Sequence, residues 1–296
     1  MAGILDRAGA DAFTQRMFTG VFKLRESPSW APDDKLDDLL ADVGQRALGG
    51  TKADLILYGH TLSAQEVTFR PGFVQRIRER LCLEQTVPFL GISGVGCASM
   101  LRSIEVARDY LRSSSSDSGV LVLGADMGSA IEACRIVPQM TIMGDSAGAM
   151  MVRRSGFRYR YLGGAARKDL RFHKGMRMTL DECRTFARVC TGLVVTAVED
   201  ATRQAGLSLG DLDWVMPHLA NAMFWSSFCQ ASGIPHERVV LDLLPTDGHT
   251  FGLDALKSLN HADEAGRLSE GDRCALISVG QGSYIQVIVV EVVSEA

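Results

Sequence analysis

The sequence predicts an α/β protein built as two similar halves. Short apolar runs that read as buried strands alternate with stretches of helical spacing, the pattern of mostly parallel sheets covered by helices. The same order of elements then comes round a second time. The span from Asp54 to Cys97 in the first round is close to that from Asp211 to His249 in the second. Packed face to face, two such halves bring the turns around Cys97 and His249 to one shared centre.

The opening 33 residues show no clear period. Residues 34–50 follow helical spacing through Leu36, Leu39, Leu40, Val43 and Leu48, and Gly49–Gly50 stops the helix. Residues 53–60 read as a buried strand, 73–83 as a helix and 87–92 as a second strand. A glycine turn, SGVGC, leads into a strongly periodic helix over 98–111. The serine run at 113–119 is too short to be more than a surface loop. Residues 120–126 and 147–154 read as the third and fourth strands. In the second round a long helix covers about 180–206, with a strand at 211–217 and a helix at 221–232. A strand at 237–243, the turn TDGHTFG and a helix over about 252–264 follow. Strands at 273–280 and 284–293 close the chain. The division between halves falls near 160–175, in GGAARKDLRFHKG, giving units 1–165 and 166–296.

Composition removes several classes of function. Lys and Arg total 31 against 35 Asp and Glu, a net charge of −4, so binding nucleic acid by counterion release is disfavoured. Hydrophobic residues make up 46% and charged ones 22%, an ordinary globular balance. No uncharged apolar run reaches the length of a membrane span, and the N-terminus does not resemble a secretory signal, so no membrane role is expected. Seven scattered cysteines without a C-x-x-C pair argue against disulfides and structural zinc and for a reducing cytoplasm. No metal and no cofactor is expected.

Three places can carry chemistry. Cys97 follows a buried strand and a glycine turn at the start of a helix, where N–H groups and the helix dipole favour a thiolate. Gly94 and Gly96 allow a tight turn and close approach of a ligand. His218, in DWVMPHLAN, leaves a strand at its carboxyl end, where parallel sheets gather ligands, and Asn221 stands at the start of the next helix. In DGHTFGLD, His249 lies in the turn that matches that of Cys97, and Asp254 follows in the helix. Gly144-Asp145-Ser146-Ala147-Gly148 fits the serine-hydrolase pattern G-x-S-x-G. A strand follows the serine instead of a helix, so the context is wrong. Glycines 91, 94 and 96 fail the dinucleotide pattern, and there is no Walker sequence. Met100, Met140, Met143, Phe224 and Phe228 are candidates for lining an apolar pocket, although such residues more commonly form plain core.

GVGCASMLRSIEVA, MGDSAGAMMV, PHLAN and GDRCALISVGQGSYIQVIVV, in this order, resemble the thiolase superfamily, most closely its beta-ketoacyl-acyl-carrier-protein synthase III branch. The resemblance spans about residues 34–294. It implies alternating α-β-α-β-α layers with a shortened N-terminal half, a homodimer and an acyl-cysteine intermediate. It also implies an acyl thioester substrate, on coenzyme A or on an acyl carrier protein as partner. Cys97 then matches the nucleophile, His218 the catalytic histidine and Asn221 the family asparagine. Backbone N–H groups of Cys97 and of Gly280-Gln281-Gly282 match the oxyanion site. Where the decarboxylating synthases carry G-N-T, this chain has Gly248-His249-Thr250, and Ser99 replaces a family glycine. A Cys-His-His set resembles elongating ketosynthases. G-H-x-F-x-x-D resembles a sub-branch of acyltransferases in natural-product pathways, in which an aspartate, here Asp254, supports the histidine. The expectation that follows is transfer of an acyl group from Cys97 to a hydroxyl or amine acceptor, with His218 as general base. The alternatives are decarboxylative Claisen condensation with a malonyl thioester and a non-catalytic partner subunit in a heterodimer with another ketosynthase-like chain.

Overall fold

The computed structural model describes residues 2–62, 69–114, 119–130, 135–137 and 140–294. Four strands make the first sheet: β1 (Ala53–Gly59), β2 (Phe89–Ile92), β3 (Gly119–Asp126) and β6 (Ser146–Val152), in the order β2-β1-β3-β6. Four make the second: β7 (Tyr159–Lys168), β8 (Trp214–Met216), β9 (Arg273–Gly280) and β10 (Tyr284–Val292), in the order β7-β10-β9-β8. Between β3 and β6 in the chain lies a short hairpin, β4 (Ile136–Val137) and β5 (Thr141–Ile142).

The layers follow from which face of each helix is apolar. Helices α3 (Leu36–Leu48) and α4 (Phe73–Arg80) bury Leu36, Leu40, Phe73 and Ile77 against Ile56, Tyr58, Leu121 and Leu123 on the outer face of the first sheet. Helix α5 (Ser99–Ser113) is apolar on two sides. Met100, Ala107 and Leu111 meet Leu55, Leu57, Val120 and Val122 of the first sheet, while Leu101 meets Leu276 and Ile288 of the second. Helix α9 (Asp254–Glu264) lies beside it, contributing Ala255 and Leu259. The long helix α6 (Leu180–Gln204) and α7 (Ala222–Ser232) cover the far face of the second sheet through Phe186, Val194, Val198, Trp225 and Phe228. The result is α-β-α-β-α, with α5 and α9 as the middle layer. Each fully buried Leu or Phe in these layers stabilises the fold by about 1.5–3 kcal/mol.

Three expectations need correction. The sheets are mixed, not mostly parallel. Strand β6 runs antiparallel to β3, and β10 runs antiparallel to both β7 and β9. The expected strand at 237–243 is not a ladder. Val239 makes a single bridge to Val215, Val240 N–H donates to the Val215 carbonyl, and the chain turns away into α8 (Leu244–Asp247). The glycine-rich stretch read as a boundary is strand β7 of the second sheet, and it runs across the expected division at 165/166. Glycine weakens a strand by propensity, but here α6 crosses the strand backbone. A Cβ on Gly163 would sit 2.7 Å from Ala205 N and 2.9 Å from Ala201 O. The unpatterned opening forms two short helices, α1 (Ala2–Arg7) and α2 (Ala12–Arg16), and a π turn over Met17–Val21. Of the serine run, residues 115–118 lie outside the described residues.

Candidate active site

Cys97 sits in a 3-10 turn, Gly96–Ala98, that runs directly into α5, so its sulfur lies at the amino end of that helix. Gly96 has φ 57°, a left-handed conformation that glycine adopts at no steric cost. The turn from the end of β9 is pressed against it: a Cβ on Gly280 would lie 2.1 Å from the Val95 carbonyl oxygen and 3.3 Å from Cys97 N. The carboxyl-terminal glycine turn therefore backs the nucleophile at backbone distance, and Gln281 lines the same cavity as Cys97.

The histidine in contact with the sulfur is His249, whose Nε2 is 3.2 Å from Cys97 Sγ. Its Nδ1 lies 2.6 Å from Asp254 Oδ2. A carboxylate only accepts, so this partner assigns a proton to Nδ1, and Nε2 faces the sulfur, with which it shares a proton. Asp254 is buried and its oxygens are full. Oδ2 also accepts from Leu219 N–H at 2.7 Å, and Oδ1 accepts from the N–H of Thr250 at 2.6 Å and its hydroxyl at 2.9 Å. His218, His249 and Asp254 lie close enough together to hold a cation. Four hydrogen bonds already occupy the carboxylate, however, so this set fits a proton relay and not a metal centre.

His218 takes a second place. Its Nδ1 is 3.6 Å from Asp254 Oδ2, beyond hydrogen-bond length, and its ring meets that of His249 edge to face with centroids 4.3 Å apart. Trp225 Nε1 donates to its carbonyl at 2.8 Å and holds the backbone. The expectation that His218 is the base oriented by aspartate is thus corrected in geometry: Asp254 orients His249. Burial disfavours charge on both rings. For His249 the facing Asp254 carboxylate and Cys97 outweigh burial and raise it to about 10. For His218 burial and the neighbouring His249 charge push it down to about 3, so it is neutral. Asp254 is held below the usual carboxylate range because the His249 charge outweighs its burial.

Asn221 lines the cavity, but its amide is engaged at both ends. Its Oδ1 accepts from Phe224 N–H at 2.8 Å as the cap of α7, and its Nδ2 donates to the Met140 carbonyl at 3.0 Å. The G-x-S-x-G segment is a strut. Gly144 N–H donates to the His249 carbonyl at 2.8 Å, the Ser146 hydroxyl donates to the Thr250 carbonyl at 3.0 Å, and β6 begins at that serine. Of the five candidate pocket residues, Met140, Met143 and Phe224 line the cavity, whereas Met100 and Phe228 are plain core.

Sequence reasoning missed Val137, Thr141, Phe186, Cys190, Ala220 and Val279, which complete the cavity wall. It also missed Asp126. That carboxylate ends β3, is buried, and accepts from the N–H groups of Thr61 and Leu62, and Leu62 packs on the cluster that contains Cys97. Burial pushes Asp126 up to about 7 against those hydrogen bonds. An acid at the carboxyl end of a buried strand was the available signal for it. The rest of the cavity wall carried no signal, because the lining residues come from six separate segments.

Two family models match: 3-oxoacyl-[acyl-carrier-protein] synthase III over residues 93–166 and its C-terminal model over 202–292, together more than half of the chain. The chain belongs to the thiolase superfamily, on its synthase III-like branch. It is 25% identical over 265 residues to a beta-ketoacyl-[acyl-carrier-protein] synthase III of Coxiella burnetii, covering 84% of this chain and 81% of that protein. The fold superposes on the structure of ChlB3, described as an acyltransferase, with a TM-score of 0.84 at 20% identity, over 100% of this chain and 94% of that one. It also superposes on OleA of Xanthomonas campestris solved with lauric acid and lauroyl-CoA, with a TM-score of 0.80 at 19% identity, over 98% and 91%. This synthase III-like chain is therefore an enzyme of acyl-thioester chemistry. Among the described residues, no helix is long and apolar enough to cross a membrane.

Proposed function

We propose that the enzyme loads an acyl group onto Cys97 from an acyl-carrier-protein or coenzyme A thioester and joins it to the enolate carbon of a malonyl thioester. The single observation that carries the loading step is Cys97 Sγ 3.2 Å from His249 Nε2 at an apolar cavity. The sulfur gives its proton to His249 and attacks the thioester carbonyl. The N–H groups of Cys97 and of the Gly280-Gln281-Gly282 turn stabilise the oxyanion, each such donor being worth about 3 kcal/mol. The donor thiolate leaves and takes the proton. Carbon dioxide then departs from the malonyl group, His218 donates a hydrogen bond to the enolate oxygen, and the enolate carbon attacks the acyl carbonyl and releases Cys97 as its thiolate. The synthase III relatives support this condensation over the heteroatom transfer that the sequence motif put first.

One observation favours the second reading, transfer to a hydroxyl or amine. A histidine whose Nδ1 is held by a buried carboxylate is a general base, which an O–H or N–H acceptor needs and a decarboxylating donor does not. The assembled Cys97–His249–Asp254 relay counts against a non-catalytic partner subunit. The homodimer of the family resemblance is proposed to form along β2, an edge strand that leaves Leu90 half exposed.

Intact-protein mass spectrometry with a panel of acyl thioesters tests the loading step. A mass gain is expected in the parent and none in Cys97→Ala. Absence of a gain with every donor overturns the proposal. Release of carbon dioxide from malonyl thioester by the acylated enzyme supports condensation, and turnover with an alcohol or amine alone supports the second reading.

A further inference from the structure

We propose that Arg135 is a positioning residue for His249: it pins the segment 24–30 onto the backbone that holds the His249 turn. The inference rests on the acyl-Cys97 reading above, in which His249 takes the proton of the sulfur. Residues 24–30 form neither helix nor strand, yet they run along that turn. The N–H groups of Arg25 and Glu26 both donate to the Pro245 carbonyl, at 3.0 and 2.9 Å, just ahead of Gly248 and His249. The Pro28 carbonyl accepts from Asp145 N–H at 3.0 Å, and Asp145 Oδ2 accepts from Trp30 N–H at 2.8 Å. The fit at Pro28 is close: a Cβ on Gly144 would lie 2.5 Å from its Cδ.

Arg135 fastens this strap and is itself buried. Its Nε donates to the Met143 carbonyl at 3.1 Å. Its two terminal nitrogens donate to the strap: to the Ser29 hydroxyl at 2.6 Å, the Ser27 hydroxyl at 2.8 Å and the Pro28 carbonyl at 3.1 Å. The Ser27 hydroxyl in turn donates to the Met143 carbonyl at 3.1 Å. A guanidinium is a planar fork of donors that can span two backbones, and a lysine ammonium offers no such fork. A cation is costly to bury unless its donors are met, so these partners fix where it sits. Met143 is the link to the chemistry. It forms a bridge to His249, and the next N–H, that of Gly144, donates to the His249 carbonyl at 2.8 Å. Met143 also lines the cavity and packs with Cys97. Arg135 thus braces the backbone that sets His249 Nε2 3.2 Å from the sulfur. A misplacement of about 1 Å between reacting groups costs on the order of 10²-fold in rate.

The test follows single-turnover acylation of Cys97 by intact-protein mass spectrometry, with acetyl-, butyryl- and octanoyl-coenzyme A as donors and Cys97→Ala as control. Arg135→Met should acylate on the order of 10²-fold slower than the parent at saturating donor, with the half-saturating donor concentration unchanged. Ser27→Ala removes one bond to the Met143 carbonyl and should lose about tenfold. Arg158→Met controls for stability alone. Arg158 ties Asp263 to the Val293 carbonyl, and none of the three lines the cavity. That variant should lower the urea midpoint and acylate at the parent rate. A folded Arg135→Met that acylates as fast as the parent overturns the inference. So does a slowing that reflects only weaker donor binding, or one that Arg158→Met matches. Where Arg135→Met does not fold, Ser27→Ala decides, and a parent-like rate there overturns the inference. Parent labelling that is lost in Cys97→Ala keeps the acyl-enzyme reading standing in each of these cases. No labelling of the parent by any donor sinks both.

Discussion

The turns before α5 and α9 are built alike and do opposite work. Each is a 3-10 turn that runs into a middle-layer helix, Gly96–Ala98 before α5 and Phe251–Leu253 before α9, and each opens on a left-handed residue, Gly96 at φ 57° and Phe251 at φ 59°. In the first, glycine takes that conformation freely and the turn is held by backbone packing on Gly280. In the second, a buried phenylalanine takes it, and the turn is held by hydrogen bonds from Thr250 to Asp254. The helix-opening position is Ser99 in one and Asp254 in the other. Ser99 leaves its hydroxyl without a partner, whereas Asp254 organises four donors. A duplicated backbone thus supplies the sulfur from one copy and the proton machinery from the other. The lesson is that charge was built into only one of two equivalent turns.

The comparison breaks hardest at Asp254. Asp254→Asn offers the wrong hydrogen-bonding partner to His249 Nδ1, and the rate of Cys97 acylation in single-turnover mass spectrometry should fall on the order of 10⁴-fold. The same network sets a pH signature. His249 is raised to about 10 in the folded protein. Its contribution, on the order of a few kcal/mol, is therefore fully present below its unfolded value near 6.5 and lost as pH climbs through about 10. Urea unfolding from pH 6 to 10 should show that loss in the parent and not in His249→Asn. His218 acts in the other direction. Depressed to about 3, it withdraws stability as pH falls from about 6.5 towards 3.

The glycine-packed turn should fail by sterics instead. Gly280→Ala drives a Cβ into the Val95 carbonyl, and a loss of about 1–3 kcal/mol is expected in urea unfolding, with no change in the pH profile of stability. The smallest effect belongs to the counterpart of Asp254. Ser99→Ala deletes a hydroxyl that bonds nothing, so stability should shift by less than about 1 kcal/mol and acylation should persist. A large loss of activity in Ser99→Ala would erase the contrast between the two turns.

Much of this was legible in the chain. The helices over Leu36–Leu48, Ser99–Ser113, Leu180–Gln204 and Asp254–Glu264 follow from spacing alone, as does the placing of Cys97 and His249 in corresponding turns. The misreadings have physical causes. Gly163 looks like a linker residue, yet the approach of the α6 backbone demands glycine within a strand. His218 matched the expected motif, yet Asp254 bonds His249, five residues away in the chain, and lies 3.6 Å from His218 Nδ1, just beyond hydrogen-bond length.

The sequence by itself determined the alternation of elements, the repeated order and the residue types able to do acyl chemistry, because periodicity and turn chemistry act over a few neighbouring residues. Tertiary structure alone decided which histidine meets the sulfur and which side chains wall the cavity. Those contacts join residues such as Cys97 and His249, 152 positions apart, and they exist only once two sheets have closed on a shared middle layer.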